Sequence, residues 1–95
     1  MVHVSVASAW EIAIKVGQGR LPEASEILAN FEAALQAEGF ALLAITVAHA
    51  RTAGLLASEH RDPFDRLLAS QAIVEGLTLV TADPKLHSLG APCLW

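Results

Sequence analysis

The segment from Asp62 to Thr81 constrains the fold of this chain more than any other. Asp62-Pro63 reads as an N-cap followed by proline at the first helical position, where a missing N–H costs nothing. The helix it opens runs to about Glu75, Gly76 closes it, and Leu77 to Thr81 is a continuous apolar run of strand length. Such a strand is buried on both faces, and strands of that kind separated by helices form parallel sheets.

The rest of the chain repeats the alternation. Val2, Val4 and Val6 alternate with His3 and Ser5, which predicts a short strand. Ser8 is placed to cap a helix, with Glu11 three residues later in capping-box register and Trp10 on the core side; Gly17-Gln18-Gly19 ends it. Residues 24 to 38 predict an amphipathic helix, with Ile27, Leu28, Phe31, Ala34 and Leu35 on one face and Gly39 as its stop. Phe40 to Ile45 is a second strand-length run, and Thr46 caps a helix to about Leu56. After Thr81 come a turn at Ala82-Asp83-Pro84-Lys85, a short helical piece near Leu86 and a final edge strand from Pro92 to Trp95. The reading is a single α/β domain over residues 1–95, with a parallel sheet flanked by helices.

Composition narrows the function classes. Ninety-five residues make one small domain, and a 54% hydrophobic, 17% charged chain is too apolar to be disordered. That surface must be covered by a core or by another chain. No apolar run reaches membrane-spanning length, and no basic leader precedes Val2. Cys93 is the single cysteine, which rules out an internal disulfide and suits a reducing cytoplasm. A net charge of −4 argues against gripping nucleic acid by bulk electrostatics. It leaves room for a metal-dependent nuclease, whose cations come from solvent, and it favours a partner with a basic segment.

Glu11, Asp65 and Asp83 each lie where a helix opens or a strand ends. Ligand sites in parallel sheets lie beyond the carboxyl ends of the strands, so all three can point to one sheet edge. Clustered carboxylates suit Mg²⁺ or Mn²⁺, hard cations that take oxygen ligands. Each acid also has a local account: Glu11 as the third residue of a capping box, Asp65 favoured by the helix dipole, Asp83-Pro84 as a turn pair. Asp62 is explained by its N-cap role and is left out of the ligand set. His60 and Arg61 lie beside the site and could meet phosphate, but a solvated polar turn is the preferred account of them. His3, His49 and His87 lack zinc-ligand spacing, and nothing near Cys93 suggests a nucleophile.

Three strings carry a further signal: Ser8-Ala9-Trp10-Glu11-Ile12, His60-Arg61-Asp62-Pro63-Phe64-Asp65-Arg66-Leu67-Leu68, and Leu79-Val80-Thr81-Ala82-Asp83. With the closing Pro92-Cys93-Leu94-Trp95, the chain resembles the PIN-domain ribonucleases, in particular the VapC-type toxins of toxin–antitoxin pairs. The resemblance implies a PIN-like three-layer α/β fold. It implies Glu11, Asp65 and Asp83 as ligands of a Mg²⁺ or Mn²⁺ cofactor, with Thr81 orienting a ligand. It implies attack of metal-bound water on an RNA phosphodiester, a cognate antitoxin whose C-terminal segment covers the acidic cleft, and a homodimer.

The family's first strand, which ends in an aspartate, has no counterpart here, because only Met1 precedes the second family strand. The expectation is therefore an impaired nuclease. The strands Val2–Val6 and Leu77–Thr81 are expected to pair directly or to be bridged by another chain, in a dimer or higher oligomer. The alternative function is a catalytically inactive PIN remnant that binds an antitoxin or a copy of itself.

Overall fold

The computed structural model describes residues 2–20, 24–80 and 84–94. The chain resolves into two compact units, Met1–Ala44 and Ile45–Trp95.

In the first unit the elements run β1 (His3–Ser5), α1 (Val6–Gly17), α2 (Ala24–Ala29), α3 (Phe31–Ala37) and β2 (Ala41–Leu43). β1 and β2 pair in parallel, with His3 opposite Ala41 and Ser5 opposite Leu43. A parallel pair needs a crossover connection, and the helices between the two strands supply it.

Helix α1 begins three residues earlier than expected. Ser5, not Ser8, is the N-cap: its backbone is extended (φ −73°, ψ 144°) and its Oγ accepts the Ala7 N–H at 3.0 Å. Ser5 is also the last residue of β1, so the cap ends the strand and starts the helix without a linker. Val6 is therefore helical rather than a strand residue, and Glu11 lies inside the helix rather than in its first turn. The capping-box account of Glu11 falls with that shift. Trp10, expected in the core, is 51% exposed.

The amphipathic stretch from 24 to 38 forms two helices instead of one. They part at Asn30, whose Nδ2 donates to the Glu26 carbonyl at 3.1 Å. A short amide side chain that bonds the backbone in this way competes with the helical ladder. The end of α3 is as expected. With Gly39 at φ 74°, the Phe40 N–H donates to the Leu35 carbonyl at 2.9 Å and the Gly39 N–H to the Gln36 carbonyl at 3.1 Å. This is the Schellman arrangement that satisfies the last carbonyls of a helix.

The second unit holds α4 (Val47–Leu55), α5 (Pro63–Glu75), β3 (Leu79–Val80), α6 (Pro84–His87) and β4 (Cys93–Leu94). β3 and β4 pair in parallel, Leu79 opposite Cys93, so the closing segment is a strand as read, although shorter. Ala69, Ala72, Leu86, Leu89 and Ala91 form the buried core, with Leu56, Leu77 and Leu79 packed on it. Helices together with parallel strand pairs place the chain in the α/β class, as expected; among the described residues these pairs form two separate sheets.

Two caps fix the helices of this unit. Asp62 Oδ1 accepts the N–H groups of Phe64 and Asp65 at 2.9 and 3.3 Å, Pro63 follows at the first helical position, and Gly76 ends α5 at φ 67°. At α4, the Thr46 Oγ1 accepts the His49 N–H at 3.3 Å, while the Thr46 N–H donates to His49 Nδ1 at 3.0 Å. His49 thus takes the place that glutamate or glutamine holds in a capping box. An accepting Nδ1 puts the ring proton on Nε2, which donates to Glu75 Oε1 on α5 at 2.9 Å. The imidazole is fully buried, so this link joins the first turn of α4 to the last turn of α5 inside the unit.

Candidate active site

Asp65 is the third residue of α5, in the turn whose free N–H groups favour an anion. Because Asp62 takes the capping bonds, the Asp65 carboxylate is released from that duty. Its Oδ2 lies 2.7 Å from His60 Nε2, and its Oδ1 makes no hydrogen bond among the described residues. The side chain is 21% exposed, open enough for a ligand to reach. His60 is half-buried and folded onto Asp65, not a solvated turn residue as the sequence suggested.

What holds His60 there is Arg66. The guanidinium Nε donates to the Ala53 carbonyl at 2.9 Å and Nη2 to the Leu56 carbonyl at 2.9 Å. Nη1 donates to the carbonyls of Ser58 at 3.3 Å and His60 at 3.0 Å. Ala53 is in the last turn of α4 and Leu56 is its C-cap, where carbonyls have lost their intrahelical partners. A cation there also complements the negative end of the helix dipole. A planar fork of donors can serve several carbonyls together, which an ammonium cannot. A second local bond, His60 N–H to Ser58 Oγ at 3.1 Å, tightens the same connection. Sequence reasoning missed this role, since bonds that reach as far back as Ala53 leave no mark in periodicity.

The other expected site residues are distributed as follows. Glu11 belongs to the first unit, where its carboxylate lies 3.9 Å from Lys15 Nζ, one turn along α1. An exposed pair of this kind holds the side chain only weakly. Thr81 and Asp83 lie outside the described residues. Among the described residues no group of three or more His, Cys, Asp or Glu side chains is gathered for a metal ion. What the described residues do bring together is the His60–Asp65 pair. Its free carboxylate oxygen is the hard donor that Mg²⁺ or Mn²⁺ takes, and it would need further carboxylates to complete a site.

The PIN-domain sequence profile matches residues 1–92. This chain belongs to the PIN-domain family. PIN domains are in general nucleases, they typically use divalent metals, and RNA is the partner that membership suggests. No curated protein and no solved structure matches the chain. No helix among the described residues is long and apolar enough to cross a membrane.

Proposed function

We propose that this PIN domain is a metal-dependent endoribonuclease of the VapC toxin type, with Asp65 at the centre of its site. The observation that carries the reading is the Asp65 carboxylate: set in the first turn of α5, held through one oxygen by His60, with the other oxygen uncommitted among the described residues. Glu11 and Asp83 are the further ligands, and Thr81 is the hydroxyl that orients one of them. A bound Mg²⁺ or Mn²⁺ would neutralise phosphate charge and supply activated water at neutral pH.

The chain's own contribution is placement. Arg66 fixes the connection that carries His60, and His60 fixes the rotamer of Asp65 through a 2.7 Å bond. Preset ligands lower the cost of assembling a reactive geometry. His60 is thus a positioning residue. A cognate antitoxin covering the acidic residues, self-association, a single domain over 1–95 and a cytoplasmic location complete the proposal.

The test is cleavage of single-stranded RNA by the full chain with Mn²⁺, followed on denaturing gels. The reading expects cleavage that EDTA stops and that Asp65→Asn reduces by about a hundredfold or more, an effect of about 2.7 kcal/mol. His60→Ala should lower the rate less, with partial recovery at high Mn²⁺. No cleavage by the wild type, with retained binding to a partner or to itself, would replace this reading with the inactive remnant.

A further inference from the structure

We propose that a cavity beside α5 seats a phosphate of the RNA strand, with Arg61 as its principal ligand and Arg66 as its charged wall. The cavity has a volume of about 360 Å³ and is lined by Gly54, Leu56, Ser58, Arg61 and Arg66, all within the Ile45–Trp95 unit. Its charged lining is two guanidiniums. Neither arginine takes part in an ion pair among the described residues. Arg66 directs four N–H bonds at backbone carbonyls and none at a carboxylate. Arg61 is exposed and makes no hydrogen bond among the described residues. Of the acids close in sequence, Asp62 caps α5 and Asp65 pairs with His60, while Glu59 is exposed and is not among the residues that line the cavity.

The chain has only six Lys and Arg residues and a net charge of −4, yet the charged residues that line this concavity are two arginines. Planar forks of N–H donors match phosphate oxygens, and cation-to-phosphate contacts are how proteins hold nucleic-acid strands. The assignment to an RNA phosphate, and not to a free anion, rests on the ribonuclease reading. Arg61 directly follows His60, the partner of Asp65, which puts a cation one residue from the pair that frames the proposed site. Gly54 leaves the space open: a Cβ built there meets no atom within 4 Å.

The experiment is fluorescence anisotropy of a labelled single-stranded oligoribonucleotide with the full chain, in EDTA, across a NaCl series. Arg61→Gln should weaken binding about tenfold at low salt, about 1.4 kcal/mol. It should also flatten the slope of log K against log salt by about 0.7, the value for one single-strand phosphate contact. Arg61→Lys should keep the slope. Gly54→Leu fills the cavity without changing charge and should weaken binding with the thermal midpoint preserved. Equal affinity and slope for wild type and Arg61→Gln would overturn the proposal. So would Arg61-dependent heat on titration with inorganic phosphate alone, if RNA affinity were indifferent to Arg61→Gln, because the cavity would then serve a free anion. EDTA separates the two readings. If RNA is never cleaved but the Arg61-dependent slope holds, the nuclease reading fails and this site stands. If cleavage depends on Asp65 and Arg61→Gln is silent, the reverse is true.

Discussion

Replacing Arg66 by alanine should be among the most damaging changes in the second unit. The substitution removes four hydrogen bonds to the carbonyls of Ala53, Leu56, Ser58 and His60. A hydrogen bond with a charged partner contributes about 1.5–3 kcal/mol, but four of them do not sum, because water can reach the Ser58 and His60 carbonyls once the connection loosens. Ala53 is buried and Leu56 packs on the core, so those two carbonyls are the ones left short of a partner. The expected loss is therefore about 2–4 kcal/mol, a large share of the stability of a small domain. Arg66→Lys keeps the charge yet cannot span the four carbonyls, and should recover less than half of the loss. Urea unfolding followed by far-ultraviolet circular dichroism reads this as a lower midpoint at unchanged m. A loss below about 1 kcal/mol for Arg66→Ala, or full recovery by lysine, would refute the clamp.

Other expectations follow from the same contacts. His49→Ala deletes a fully buried ring, a reciprocal cap and the bond to Glu75, and should cost about 2–4 kcal/mol in thermal unfolding; a change under about 1 kcal/mol would contradict the assigned bonds. Asp62→Ala should cost about 1 kcal/mol while Asp62→Asn is nearly neutral, because asparagine caps as well as aspartate; equal losses would show that charge and not capping matters there. Gly76→Ala should cost about 1–2 kcal/mol, since α5 ends on this residue at φ 67°; an unchanged melting temperature would mean that the turn relaxes.

Local signals were the legible ones. Asp62-Pro63 and Gly76 bound α5 as read, because an N-cap, a proline and a left-handed stop act within a few residues of themselves. Thr46 and Gly39 were legible for the same reason. Two serines, Ser5 and Ser8, competed to start α1, and the glutamate three residues after Ser8 favoured the wrong one. The structure uses Ser5, where the strand already delivers an extended backbone. Asn30 was hidden inside a continuous apolar stripe, since periodicity does not register a side chain that bonds its own helix. Of the candidate site, only the local placement of Asp65 was legible. Asp65 stands out from its position in α5, but the His60 bond and the Arg66 clamp depend on how a loop folds back, which spacing does not encode. Thr81 and Asp83, expected at the far strand, fall outside the described residues.

Metal binding tests the central claim most directly, because it does not depend on choosing the right RNA. Isothermal titration of the full chain with Mn²⁺ should show a saturable heat. Asp65→Asn, which keeps the helix turn and changes only the donor, should weaken it at least about tenfold, or about 1.4 kcal/mol. The same Mn²⁺ affinity in wild type and Asp65→Asn would contradict the account, because the carboxylate placed by His60 and Arg66 would then hold no metal.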